Sequence, residues 1–351
     1  MAFGALLAAT VAWASTPCGA CAPQAVEWLS WAEALVPPVG FGSGPRPESR
    51  YRFAADVAAE LVPVVASRPA VVAPFLVGRS VEDRPIWGFR LRDPGAPIRG
   101  KMLVFANIHA LEWVPTEAAT AFIHDFAATP IPGVELVVIP SLNVDGRDRV
   151  EHDLLEGKNV YRRGNARQVD LNRDFPVNRE SNAVWKALIP ARYTVSPGPL
   201  SQPESVAIDH LAATEHFDAA VSLHAFGGFF YYPWAGRWNR VEDLAEFDRL
   251  GRTMQAAMVE HPYKPRQLSR WGFVFRGLGM ELDHLYGTYG VMAFLVETTR
   301  SGYERPGDLG NHFRMYNPRD PLPHAREGVR YLRALAAEVG AGRVHAAPRT
   351  P

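Results

Sequence analysis

A histidine and a glutamate three residues apart, His109 and Glu112, sit where one apolar run of the chain gives way to another. Imidazole nitrogen and carboxylate oxygen are what a catalytic zinc accepts, with a third protein ligand from elsewhere and one position left for water. The run before them, Met102 to Ala106, reads as a buried strand bounded by Gly100. The run after them reads as a helix that starts at Pro115 and reaches about Ala127. A junction of this kind turns both side chains toward one point. His-x-x-Glu spacings also arise by chance, so the pair counts only if other ligand-type residues fall at equivalent places.

The rest of the chain supplies them. Val71 to Val77, Trp87 to Leu91, Val134 to Ile139, Ala219 to Leu223, Phe229 to Tyr232 and Val291 to Val296 read as further strands. Helical spacing runs over Phe53 to Val65, from Gln202-Pro203-Glu204 to about Thr214, over Glu242 to Val259 and over Arg326 to Val339. Between them, Arg147 to Val169 carries few apolar residues and reads as a long polar loop. Helices alternating with unbroken apolar strands predict an α/β fold, a sheet covered on both faces. His109, His224 and Glu297 all fall just after strand ends, the edge where sites form in such sheets.

Composition narrows the function classes. Lysine plus arginine equals aspartate plus glutamate, 37 of each, so no global field favours nucleic acid or an anionic surface. With 351 residues, 47% of them hydrophobic and 21% charged, the chain has the makings of an ordinary folded protein. No apolar run past the N-terminus is long enough to span a membrane. The two cysteines, Cys18 and Cys21, are too few for a four-thiolate metal site. Leu6 to Ala14 is apolar and ends in Ala12-Trp13-Ala14, like a secretory cleavage site, although the first basic residue is Arg46. The expected organisation is a signal-like segment over 1–16, a Pro/Gly-rich extension over 17–49 with one helix from Val26 to Leu35, a catalytic domain over 50–340 and a disordered tail over 341–351.

With Asp170-Leu171-Asn172-Arg173, His224 and Glu297 beside His109-x-x-Glu112, the sequence resembles the zinc metallocarboxypeptidases of the carboxypeptidase A type, from about Tyr51 to Ala337. The order and spacing of five motifs carry the resemblance. It implies a single metallocarboxypeptidase-like domain with a mostly mixed central sheet between helices. It implies one zinc per chain on His109, Glu112 and His224, with Asp170 orienting His109. Glu297 matches the general base that takes a proton from the attacking water and passes it to the leaving amine. Arg162, with Arg163 beside it, matches the arginine that stabilises the oxyanion. Asn172 and Arg173 match the pair that grips the terminal carboxylate of a substrate. Read one at a time, these residues have plainer explanations: a core histidine for His224, a helix N-terminal carboxylate for Glu112, an ion pair with Arg300 or Arg305 for Glu297. Those explanations weaken when the set is counted together.

The sequence departs from the family at several places. Leu111 stands where many members have an arginine or a polar residue, and Ala225-Phe226 where many have Ser-Tyr. Counted back from Glu297 without gaps, Phe275 takes the place of the substrate-capping tyrosine, with Tyr286 or Tyr289 as alternatives, and Leu282 falls at the base of the specificity pocket. A leucine there implies apolar or aromatic C-terminal residues, and Glu281, if the segment is extended, should point the other way. The expected activity is hydrolysis of the C-terminal peptide bond of peptides or proteins by a secreted or periplasmic monomer. A zinc amidase or carboxypeptidase acting on peptidoglycan-type peptides is an alternative, as is a catalytically silent module that binds peptide C-termini.

Overall fold

The computed structural model of the protein describes residues 21–35, 48, 50–181, 183–272, 275–300 and 302–346. The leader-like run and Cys18 lie outside the described residues. Helix α1 (Cys21–Leu35) and helix α2 (Ala54–Ser67) precede a hairpin of β1 (Val72–Arg79) and β2 (Pro85–Arg92). Then come β3 (Gly100–Ala106), α3 (Val114–Ala128), β4 (Val134–Ile139), α4 (Val144–Leu155), α5 (Pro203–Glu215), β5 (Ala219–His224) and β6 (Phe229–Tyr232). The chain continues through α6 (Leu244–Ala257), β7 (Lys264–Gln267), α7 (Glu281–Tyr289), β8 (Met292–Glu297), α8 (His312–Tyr316) and α9 (Leu322–Gly340).

The strands form one mixed sheet in the order β1-β2-β4-β3-β5-β8-β6-β7. Its centre, β4-β3-β5-β8, is parallel, and β2 and β6 flank it antiparallel. The central strands are apolar without alternation because both faces are covered. Met102, Val104 and Ala106 of β3 enter one core with Phe122 and Phe126 of α3 and Leu332 and Leu335 of α9. Leu103 and Phe105 enter the opposite core with Ile208 and Leu211 of α5 and Leu282 and Leu285 of α7. Each large apolar side chain so buried contributes on the order of 1.5–3 kcal/mol. Helices α9 and α3 approach closely because Gly328 meets Ala118, where an added Cβ would stand only 2.7 Å from the alanine methyl.

The structure adds to or changes several local expectations. The polar stretch after Gly146 opens with a helix, α4, capped by Asn143, whose side chain accepts from Gly146 N–H at 3.0 Å. Its buried face is made mainly of Asp145, Arg147 and Asp153, so no apolar period announced it. Strand β7, Lys-Pro-Arg-Gln, lacks an apolar pattern because it is the sheet's outermost strand. Glu281 and Leu282 open helix α7 and are not extended. Helix α1, on the stretch read as an extension, puts Trp28 and Ala32 into the same core as β2, with Trp28 edge-on to Phe89 at 5.4 Å. Of the stretch read as a tail, residues 341–346 are described, and Arg343 pairs with Glu338.

In the parallel part of the sheet, β3 leads through α3 to β4 on one side, while β5 lies on its other side. Connections therefore diverge between β3 and β5, which opens a crevice beyond their C-terminal ends. His224 ends β5 and is in register with Glu297, the end of β8.

Candidate active site

The loop after β3 is shaped by one side chain. Asn107 adopts a left-handed conformation (φ 57°), tolerable for asparagine. Its amide donates to the carbonyls of His109 (3.0 Å) and Glu112 (3.1 Å), and its oxygen accepts from the Ser141 hydroxyl (2.9 Å). Asn143 adds a bond to the carbonyl of Ile108 at 3.2 Å, and Ala110 N–H donates to the carbonyl of Arg163 at 3.1 Å. The loop backbone is thus tied to the ends of β4 and to the Arg163 segment before α3 begins.

His109, Glu112 and His224 meet in the crevice, each 2% exposed. His109 Nδ1 lies 2.7 Å from Glu112 Oε1, His224 Nδ1 lies 3.2 Å from Glu112 Oε2, and the two Nδ1 atoms are 3.2 Å apart. On the far side of each ring, His109 Nε2 faces Asp170 Oδ1 at 3.1 Å and His224 Nε2 faces Glu281 Oε1 at 3.1 Å. With the Nε2 protons directed at those carboxylates, both Nδ1 lone pairs and a carboxylate converge on one gap, a donor set that suits a cation. Tetrahedral zinc bonds of about 2.0–2.2 Å hold donors roughly 3.3–3.6 Å apart, close to the larger separations seen here. These three residues are the group that can hold a metal among the described residues.

The electrostatics fit the same picture. Burial alone would raise the Glu112 carboxyl, but His109 and His224 beside it hold it well below its ordinary range. Burial disfavours a charged His224, yet hydrogen bonds to Glu112 and Glu281 push it up to about 10 in the metal-free protein. Asp170 is likewise held far down against burial by Arg163, whose Nε donates to it at 2.7 Å, and by His109. Glu297 behaves oppositely. Burial and the nearby Glu112 charge push it up to about 8, and its Oε2 is buried without a hydrogen-bond partner among the described residues. No arginine lies within ion-pair distance of Glu297 among the described residues, so the ion-pair explanation does not hold.

A cleft of about 1000 Å³ opens on this centre. Of the residues singled out from the sequence, His109, Glu112, His224, Glu297, Asn172, Arg173 and Phe275 line it. Asn172 and Arg173 sit on a three-residue turn, Leu171–Arg173, whose first amide groups are capped by Asp170. Arg173 is half-buried and, among the described residues, has no carboxylate within ion-pair distance; Nη1 donates to the Asn172 carbonyl at 2.6 Å.

Four of the singled-out residues, Arg162, Leu282, Tyr286 and Tyr289, stand elsewhere. Arg162 turns away and pairs with Asp153, whereas Arg163 lines the cleft, 3.6 Å from Glu112. Adjacent residues of an irregular segment point differently, and spacing could not choose between them. Leu282 is fully buried in the core below α7, and Met280 lines the cleft instead. Tyr286 and Tyr289 are also away from it, bonded to Asp243 and Asp209. Tyr316, which no motif announced, lines the cleft from α8 with its hydroxyl 3.1 Å from that of Tyr161. A second, more apolar cleft of about 1100 Å³, lined by Trp28, Trp31 and Trp87, lies under α1; among the described residues it has no histidine and no cluster of ligand atoms.

Comparison with known proteins agrees with this geometry. The sequence profile of the family described as zinc carboxypeptidase matches residues 57–325. The chain is 30% identical over 200 residues to the Bacillus subtilis protein YqgT, covering 47% of this chain and 52% of that protein. It is 22% identical over 242 residues to bovine carboxypeptidase O, covering 63% of this chain and 60% of that one. It therefore spans about half to three-fifths of the length of these relatives. In fold it is similar to bovine thrombin-activatable fibrinolysis inhibitor, solved with a tick carboxypeptidase inhibitor, at a TM-score of 0.66 and 19% identity over 83% of this chain and 98% of that chain.

Proposed function

The chain belongs to the zinc carboxypeptidase family, and on that premise we propose that it hydrolyses the C-terminal peptide bond of peptides, with one zinc on His109, Glu112 and His224. The observation that supports this best is the convergence of the three ligand side chains and Glu297 at one crevice that also holds Arg173, which has no carboxylate within ion-pair distance among the described residues. A zinc ion bound there supplies Lewis-acid polarisation and acidifies water. Glu297, pushed up by burial, takes the proton of the attacking water and delivers it to the leaving nitrogen. Arg163, and not Arg162, faces the crevice and stabilises negative charge that develops on the carbonyl oxygen. Arg173 and Asn172 hold the terminal carboxylate, which makes the enzyme an exopeptidase.

The wall of the cleft includes Leu268, Met280, Leu295 and Phe275. An unpaired ammonium placed against such a wall is costly, so apolar C-terminal residues should be preferred. Export is part of the same reading and is supported by the Leu6–Ala14 run alone; N-terminal sequencing of protein from the culture fluid or periplasm tests it. The decisive experiment loads the purified protein with zinc and measures turnover on blocked peptides that differ in the last residue, on their amides, and on peptidoglycan-type stem peptides. Turnover confined to free C-termini supports the proposal. Equal rates on amides, stem peptides as the sole substrates, or binding without turnover would each replace it.

A further inference from the structure

The two histidines of the centre differ in what stands behind them. Asp170, behind His109, is shared: Arg163 takes its other oxygen, and Asn172 N–H donates to it at 2.9 Å. Glu281, behind His224, is 0% exposed, its Oε1 is 3.1 Å from His224 Nε2, and its Oε2 has no hydrogen-bond partner among the described residues. Among the described residues no arginine or lysine lies within ion-pair distance of it. Removing a carboxylate from water costs several kcal/mol unless a partner compensates, and the imidazole of His224 is the partner within reach.

Its place is fixed by the backbone. Gly279 takes a left-handed conformation (φ +60°) against the carbonyls of Arg173 and Phe175, where an added Cβ would stand 2.9 Å from the first. That turn delivers Glu281 to the first position of α7, where a helix N-terminus favours negative charge, and its N–H donates to Asn172 Oδ1 at 3.2 Å. Ser222 Oγ also lies 2.9 Å from His224 Nε2. A hydroxyl can donate or accept, so Ser222 alone leaves the imidazole tautomer open; a carboxylate only accepts, and so requires the proton on Nε2. With that proton in place, the Nδ1 lone pair faces the gap shared with His109 and Glu112.

We propose that Glu281 is a positioning residue of the metal centre, which accepts the Nε2 proton of His224 and thereby fixes the tautomer and ring orientation that present Nδ1 to zinc. The proposal rests on the zinc-centre reading above. Partners behind metal-bound histidines typically change metal affinity by about 10–100-fold when removed.

The test titrates metal-free wild type, Glu281→Ala, Glu281→Gln and Ser222→Ala with Zn²⁺ against a chromophoric chelator, and records the visible spectrum of each with Co²⁺. Glu281→Ala should bind zinc about 10–100-fold more weakly, with altered cobalt bands. Glu281→Gln, which can donate as well as accept, should weaken binding by a smaller factor, and Ser222→Ala should stay near wild type. Circular dichroism of the metal-free forms identifies the variants that fold. Unchanged affinity and cobalt spectrum in whichever Glu281 variant folds would overturn the proposal, as would a larger loss in Ser222→Ala. A wild type that bound no zinc would instead bring down the zinc-centre reading together with it.

Discussion

The crevice has two halves built by different means. His224 and Glu297 close two neighbouring strands in register, and His109 and Glu112 follow a third on a loop pinned by Asn107 and Asn143. The other half comes from short pieces of chain: the turn bearing Asn172 and Arg173, the residues Trp271 and Phe275, and the short helix ending at Tyr316. In the first half the three ligand side chains are buried and cross-bonded and Glu297 is half-buried; the second half mixes the buried Asn172 and Tyr316 with the half-buried Arg173 and Phe275 and the exposed Trp271. On the proposed reading, groups that must meet within tenths of an ångström sit on the strand ends, whereas groups that would select a substrate sit mostly on connecting chain.

That contrast can be broken by substitution. The largest effect is expected in the first half, where His224→Ala should lose most bound zinc and all measurable hydrolysis, by metal analysis and turnover. Full zinc occupancy in this variant would mean that the strand ends do not form the centre. Next, Glu297→Gln should keep its zinc and lower turnover by about two to four orders of magnitude. A change below tenfold would move the base to another carboxylate.

The same substitution has a pH signature in the metal-free protein. Glu297 is raised from its ordinary 4.5 to about 8, so its contribution to stability is full below the lower value and is lost as pH climbs through the upper one. The stability gained by Glu297→Gln over wild type should therefore widen from about pH 5 to pH 8, read by thermal unfolding. A gap that narrows over that range would contradict the raised value.

Smaller effects belong to the second half. Arg173→Ala should weaken substrates with a free C-terminus by roughly 1.5–3 kcal/mol, the scale of a charge-assisted hydrogen bond, and leave amidated peptides almost untouched. Equal losses on both would detach Arg173 from carboxylate recognition. Arg162→Ala, which breaks a pair whose arginine side chain is a third exposed, should change stability by no more than about 1 kcal/mol and specificity constants hardly at all. A large loss of activity there would return the oxyanion role to Arg162.

The strand-end half was largely legible in the sequence. Parallel strands covered on both faces must be apolar throughout, so the polar residue that ends such a run stands out, as His224 and Glu297 do. The rest of the molecule left weaker traces. Helix α4 hides its buried face in charged residues, and β7 is too polar to show a period. A gapless count back from Glu297 puts Leu282 at the base of a specificity pocket, and an extended segment would turn Glu281 the other way. Because α7 already begins at Glu281, the side chains there follow a helical and not an alternating order, and Leu282 falls into the core. Glu281, behind His224, and Tyr316, in a distant segment, carried no spacing that tied them to the ligands.

Helix α1 bears on how the protein can be made and cut. Trp28 and Ala32 seal the apolar face of the hairpin, including Trp87 and Phe89, yet the sequence between α1 and α2 is rich in proline and glycine, the sort of boundary at which expression clones are trimmed. A chain begun at residue 50 would present that aromatic surface to solvent, and aggregation during purification is the expected result. A protease that nicks between α1 and α2 would leave a noncovalent fragment pair, and one that removes the N-terminus without cost to solubility has to cut ahead of Cys21.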